Sequence, residues 1–364
     1  MSANADTMSG VIDEARRQIE ICNACRYCEG YCSVFPAVTR RRSFTDANVV
    51  QLASLCHNCR GCYYACQFTP PHEFELNLPK ALAEVRHRGW EDYAAPSLLA
   101  REFQRSGAAI ATLAFIGFAV LIWAIKTLGG QADGEGFYAL LSHSAMVAIF
   151  LPAFIAPLVV MSMGVRRFWH DANAPPFMWA DLVAALKRAG TMRDLSGGHG
   201  EGCNFEDEDR FSNTRRILHQ LTMYGFLLCF AATSVATLMH YLLDMPAPYP
   251  FWSLPKLFGV VGGLMLSAGT AGLAVLKLRA DNDLADARVW GGEMGFVLLL
   301  FVVSTTGLAL YAGAESAWLL ELLALHLGAV LAFFLLMPYT KMVHGLYRLA
   351  ALTADAAEKR QMTR

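Results

Sequence analysis

Polar and apolar positions mix up to about residue 105, with helical periodicity over 13–21 and 79–88. After Ser106 the pattern changes. Six apolar blocks follow, near 107–128, 142–164, 217–243, 256–277, 292–312 and 319–344. Each is long enough to cross ~30 Å of hydrocarbon, which takes about 20 helical residues. Lipid offers no partner to backbone polar groups, so a spanning segment must be a helix or part of a closed barrel. A barrel would alternate in strands of about ten residues, and these blocks do not. The pattern predicts an all-α chain in three parts: a domain over 1–105, a six-span membrane domain over 106–347, and a tail over 348–364.

The loops predict an orientation. Arg101 and Arg105 precede the first span, Arg166 and Arg167 follow the second, and Arg215 and Arg216 precede the third. Lys277, Arg279 and Arg288 lie between spans four and five. Lys341, Arg348, Lys359 and Arg360 lie at or beyond the end of the sixth. The opposite loops, 129–141, 244–255 and 313–318, carry almost no Lys or Arg. The positive-inside bias then puts both termini in the cytoplasm, and the expected location is the bacterial inner (cytoplasmic) membrane. Residues 1–21 have no apolar run behind a basic start, so the first domain is expected to stay cytoplasmic. The long loop 165–216 holds Pro175-Pro176, an amphipathic stretch over 177–189, a glycine-rich run ending in Cys203, and an acidic patch over 206–209. The amphipathic stretch reads as an interfacial helix or a docking surface.

The composition agrees. Of 364 residues, 55% are hydrophobic and 17% charged, against about 45–50% and about a quarter in soluble domains. Thirty basic and 31 acidic residues give a net charge of −1, so no basic field exists to attract nucleic acid.

The cysteines carry the chemistry. Eight of ten lie within residues 22–66, in two groups: Cys22-x2-Cys25-x2-Cys28-x3-Cys32 and Cys56-x2-Cys59-x2-Cys62-x3-Cys66. In a reducing compartment such clusters read as metal ligands, not disulfides. The spacing is that of proteins with two [4Fe–4S] clusters, in which the fourth cysteine of each group serves the other cluster. One cluster is therefore assigned to Cys22, Cys25, Cys28 and Cys66, the other to Cys56, Cys59, Cys62 and Cys32. Structural zinc, the alternative, favours two C-x2-C pairs. Ser33 and Gln67 stand where bacterial ferredoxins place proline, and the helical surroundings suggest an α-helical ferredoxin-like domain. His57 sits inside the second group, exposed beside the cluster or tuning it. Cys229 lies within a span as a packing residue. Cys203 with His199 reads as a candidate metal or quinone contact.

Five histidines lie in or at the ends of spans, where ionisable groups are rare and usually functional. Spans three and six are expected to run antiparallel. That puts His219 and His344 at the cytoplasmic face, and His240 and His326 at the other, where His143 competes with His240. Eighteen residues separate His326 from His344, which on one helix returns to the same face after about 27 Å. Paired imidazoles on facing helices suit one or two b-type haems in a cytochrome-b-like bundle. Interfacial anchoring is the alternative. There is no C-x-x-C-H for covalent haem.

The two cysteine groups, the six spans, and Arg215-Arg216-Ile217-Leu218-His219 opening the third span resemble the tricarballylate utilisation protein B family, also known as the citrate-utilisation (CitB-domain) family. The resemblance runs from Ile21 to about Tyr347 and includes the glycine-rich loop ending in Cys203. It implies a partner, an FAD-dependent tricarballylate dehydrogenase, whose reduced flavin is reoxidised through the clusters and haem to membrane quinone. The membrane half also looks like the cytochrome subunit of respiratory nitrate reductase. No G-x-G-x-x-G after a strand and no P-loop is visible, so flavin or nicotinamide binding belongs to a partner. The chain then reads as the quinone-reducing component of an oxidoreductase system, with the quinone site sought near Arg215, Arg216 and His219. Two other readings are a membrane-anchored iron–sulfur redox sensor and the electron-transfer subunit of a different organic-acid dehydrogenase.

Overall fold

A computed structural model describes residues 8–128, 141–196, 203–204, 211–245 and 247–362. Among these residues there are thirteen α-helices and one two-stranded ladder. The cysteine domain comprises α1 (Met8–Cys25), α2 (Val34–Thr39), α3 (Asp46–Leu55), α4 (Gly61–Tyr64) and α5 (Leu78–Tyr93). Helix α3 starts at a capping box, in which Thr45 and Asn48 exchange side-chain and backbone hydrogen bonds. Helix α5 starts at Asn77, whose side chain accepts from the Lys80 amide, with Pro79 in the first turn where its missing N–H costs nothing. Both α1 and α3 pack on α5. Ile19, Val38, Leu52, Leu55 and Leu82 form their shared core, each at most 1% exposed.

Six helices are long and apolar enough to cross a membrane. They are α6 (Ser97–Leu128), α7 (His143–Asp171), α9 (Thr214–Leu243), α10 (Leu254–Arg279), α11 (Trp290–Ala312) and α12 (Leu319–Leu336). Their outward residues are apolar, with Leu113, Val120, Leu151 and Leu242 among the most exposed. Large exposed apolar surface of this kind suits hydrocarbon. Helices α9 and α10 approach each other closely through glycines. A Cβ on Gly225 would lie 2.5 Å from the Leu266 amide nitrogen, and one on Gly269 would lie 2.6 Å from that of Thr222. Small residues let membrane helices gain backbone contact where no hydrophobic drive brings them together.

Two expectations change in detail. The sixth block does not run as one helix to 344. It stops at Leu336, passes through a tight turn over Met337–Tyr339 that contains Pro338, and restarts as α13 (Val343–Met362). Proline removes a helix hydrogen bond and clashes with the preceding turn. His344 therefore lies on α13, so the shared-face argument linking it to His326 does not apply. The segment read as a tail is most of α13. Its Ala351, Ala354, Ala357 and Leu352 are buried, and it packs on α3 and on α8 (Trp179–Thr191), the helix expected over 177–189.

Ion pairs fasten α13. The Asp355 carboxylate is 1% exposed and meets Arg40, Arg188 at 3.1 Å and Lys359 at 2.7 Å. Glu358 meets Arg41 at 2.7 Å, and Arg360 meets Asp181 of α8 at 2.9 Å. A second cluster joins the cysteine domain to the membrane half. His87 of α5 lies 3.4 Å from Asp286 and 3.5 Å from Glu293. Glu293 is held between Lys277 and Lys341, each at 2.5 Å. The cysteine domain thus sits at the end of the bundle that carries Arg167, Arg215, Lys277 and Lys341.

Candidate functional site

Both cysteine groups wind the chain tightly. The residue after the second cysteine of each group is left-handed, Arg26 at φ 58° and Arg60 at φ 67°. Such conformations are uncommon outside glycine and concentrate at functional sites. Here they reverse the chain, so cysteines three positions apart can face one centre.

The structure brings the eight cysteines together as two sets. Cys22, Cys25, Cys28 and Cys66 line one cavity, of about 240 Å³. Cys32, Cys56, Cys59 and Cys62 line a narrower one, of about 20 Å³. Cys62 also borders the first. Among the described residues, no three His, Cys, Asp or Glu side chains converge on a single-ion position; the thiols ring cavities instead. Backbone amides two residues on donate to the sulfurs, Asn58 to Cys56 Sγ and Phe68 to Cys66 Sγ, both at 3.4 Å. Val34 does the same for Cys32. Donors aimed at sulfur favour thiolate.

The other influences oppose thiolate. Burial, then the neighbouring sulfurs, push Cys22 and Cys28 up to about 12. The same causes hold Cys32 and Cys62 well above the ordinary thiol value. Thiols packed this closely ionise together only when cationic metal compensates them. The donor set, the shared cavities and the amide donors fit a cubane cluster in each set.

Histidines and arginines back the second set. His219 of α9 and His344 of α13 have ring centres 5.9 Å apart, at 73°. Two metal–imidazole bonds of about 2 Å, plus the step from each nitrogen to its ring centre, span about 6 Å. The Nδ1 of His344 hydrogen-bonds the Lys341 carbonyl, which leaves Nε2 as the outward nitrogen. The Nδ1 of His219 is buried without a hydrogen-bond partner among the described residues. Burial, then the Arg348 charge, holds His344 well below the ordinary imidazole value. It is therefore neutral, the form that binds metal. Beyond the pair, Phe154 of α7, Phe226 and Phe230 of α9, and Phe333 and Phe334 of α12 form an aromatic seam. These features fit a haem between His219 and His344.

The outer histidines have other partners. His240 stacks on His143 at 4.5 Å, and His143 hydrogen-bonds the Tyr241 hydroxyl at 2.9 Å. His326 shares a 3.2 Å hydrogen bond with Thr306, and its ring lies 3.0 Å from where a Cβ on Gly307 would stand. Cys229 is half-buried within α9 and packs against the core. His199 and the acidic patch lie outside the described residues, and Cys203 begins a two-residue strand that pairs with Phe211–Ser212. Arg216 donates to the Thr191 carbonyl at 3.0 Å.

The sequence reading missed what surrounds Cys56. Arg215 donates to the carbonyls of Asn58 at 2.8 Å and His57 at 3.1 Å. Arg348 donates to those of Cys56 at 2.6 Å and Ser54 at 3.3 Å. Arg86 donates to Cys56 at 2.9 Å and Ala53 at 3.2 Å. Burial, then the nearby Arg86, lowers Arg348 to about 9. His57 is half-buried beside Arg348 and Arg215, held well below its ordinary value first by desolvation, then by the Arg348 charge.

Comparison with known proteins gives the relationship. Residues 102–364 match the family Citrate utilization protein B, and residues 15–95 match the Citrate utilization protein B Fer4-like domain. Citrate utilization protein B of Escherichia coli is 43% identical over 354 residues, covering 96% of this chain and 93% of the relative. No solved structure matches. A Fer4-like domain on a helical membrane half points to an iron–sulfur electron-transfer role. The two family matches together cover nearly the whole length, and the chain belongs to the citrate utilization protein B family.

Proposed function

We propose that this protein carries electrons from a reduced FAD-dependent tricarballylate dehydrogenase, or from the dehydrogenase of a different organic acid, to the membrane quinone pool. Cys22, Cys25, Cys28 and Cys66 would hold one [4Fe–4S] cluster, and Cys56, Cys59, Cys62 and Cys32 the other. His219 and His344 would hold a b-type haem. Bound there, these groups supply one-electron chemistry, which lets a two-electron flavin be emptied in two steps.

The chain's own residues do the rest. Cys25 is exposed and Tyr27 is 71% exposed, so the first set is open to a soluble donor. The second set faces inward, toward the histidine pair. The phenylalanine seam excludes water beyond that pair. The carrying observation is that four cysteines of the cysteine domain and two histidines of the membrane half share one clamped region, joined through Arg215 and Arg348. His240 and His326 have separate partners, so the proposal takes one haem. The basic bundle end beside the cysteine domain supports placing both in the cytoplasm, with both termini there.

The test is the dithionite-reduced minus air-oxidised optical spectrum of anaerobically purified protein, with iron and acid-labile sulfide assays. Expected are sharp b-haem bands over broad iron–sulfur bleaching, with no retained flavin. Zinc without sulfide would sink the cluster assignment. Bleaching without haem bands would return the histidines to packing roles.

A further inference from the structure

The arginines around Cys56 admit a plain structural explanation. The carbonyls of residues 53–56 are the last of α3, and a helix end leaves four carbonyls without helical partners. Arg86 and Arg348 cover those of Ala53, Ser54 and Cys56, and the Ser33 hydroxyl donates to that of Leu55 at 3.3 Å. Cations are favourable at that end of a helix dipole.

Capping does not explain two further features. The first is register. Arg215 lies one turn before His219 on α9, and Arg348 one turn after His344 on α13. Residues four apart share a helix face. Each histidine therefore comes with an arginine on its own face, and both arginines grip the segment bearing Cys56. The second is charge. Arg86 is 7% exposed, and the hydrogen bonds of Arg86 and Arg348 go to carbonyl oxygens, not to carboxylates. A buried charge needs a counter-charge. The negative groups at hand are the Asp194 carboxylate, already paired with Arg188, and the thiolates of Cys56 and its set. Among the described residues, the first group's backbone between Cys22 and Cys28 accepts from one arginine, Arg26, at the Asn23 carbonyl, and Cys25 is exposed.

We propose that Arg215 and Arg348 are positioning residues: they hold the Cys56–Cys59 segment against the His219–His344 pair, and with Arg86 their charge favours the reduced state of a cluster at Cys32, Cys56, Cys59 and Cys62 over one at the other four cysteines. The inference rests on the function proposed above. It adds a direction: the electron falls from the exposed set to the enclosed one.

The test uses the full-length protein in detergent, titrated electrochemically with both clusters followed by electron paramagnetic resonance. Cys59→Ser identifies the signal of the enclosed set. In Arg215→Gln and Arg348→Gln, the enclosed cluster should become about tenfold harder to reduce, a shift of about 59 mV for one electron. The exposed cluster should stay where it is. Arg215→Lys and Arg348→Lys keep the charge and lose the two-pronged grip. They should leave the potential in place and slow haem reduction in stopped-flow by about tenfold.

A capping role alone would lower thermal stability and move neither readout. Equal shifts of both clusters, or none, would overturn the charge assignment. Lysine variants with wild-type rates would overturn the positioning role. If the glutamine variants fail to retain iron, the lysine variants decide. If wild-type protein shows no clusters or no haem, the functional reading fails first, and that result is distinct from clusters and haem present with unmoved variants.

Discussion

The two cysteine groups have identical spacing and opposite surroundings. Around Cys25 the chain is open: Cys25 is exposed, Tyr27 stands in solvent, and the cavity is wide, while Cys22 and Cys28 are half-buried. Around Cys56, Cys59 and Cys62 it is closed: Arg60 is 3% exposed, Arg86, Arg215 and Arg348 grip the backbone, and two membrane-half histidines stand behind. Local spacing sets how the sulfurs converge. Tertiary context sets what each site faces, so one motif used twice makes an outward-facing and an inward-facing site.

The hardest strike on this comparison is at Cys62, which borders both cavities. Cys62→Ser should remove more than about half the iron, and Cys25→Ser about half or less, because a four-thiolate cluster rarely survives loss of a ligand. Iron and sulfide per chain decide it. Equal losses would mean the sites are independent.

Next comes the helix that carries Arg348. Asp355→Asn leaves Arg40, Arg188 and Lys359 without their shared anion. Breaking a buried pair costs about 3–5 kcal/mol, and the lower end applies because Lys359 is 46% exposed. Melting followed by protease susceptibility should show the loss, with the enclosed cluster released before the exposed one. Release in the reverse order would break the comparison.

Acid should act more gently. Burial would raise Asp286, but the hydrogen bond from His87 and the pair with Arg288 outweigh it and hold the carboxyl down at about 2. Its ordinary value is 3.8. A depressed carboxyl contributes its stability above the ordinary value and loses it as pH falls toward the folded one. Asp286 should therefore supply about 2 kcal/mol, constant from pH 7 to 4 and lost between about 4 and 2. A melting temperature that already falls between pH 6 and 5 would assign the transition to other groups.

The smallest effect is at the open site. Tyr27→Ala should change stability by less than about 0.5 kcal/mol, as exposed substitutions usually do. It should slow cluster reduction by a flavoprotein donor and leave reduction by dithionite unchanged. Equal slowing with both would mean Tyr27 supports the site and not the docking.

The spans were legible because six runs of apolar residues admit one solution in lipid. The cysteine sets were legible because their spacing is chemical. What escaped the sequence depends on distance. Arg215 reads as a loop charge that orients the bundle and as a neighbour of the quinone site, yet its hydrogen-bond partners lie 157 and 158 positions away. Pro338 marks the end of the sixth span, but Met342 and Val343 beyond it carry apolar character on toward 344. Beyond Tyr347, α13 packs largely through alanines at 350, 351, 354 and 357, with Leu352 the larger apolar side chain buried there, a quieter signal than a leucine stripe.

Contacts that span the chain have a consequence for biosynthesis. The carbonyl of Cys56 meets Arg348 across 292 residues, and Arg40 meets Asp355 across 315. A ribosome adds about 5–20 residues per second. The first domain therefore waits roughly 15–60 s for the helix that completes it. On the proposed function, the cysteines would be translated and accessible in that interval while the six apolar helices are still being made. Metal loading and membrane insertion would then overlap in time, and α13 would close over the segment that bears Cys56.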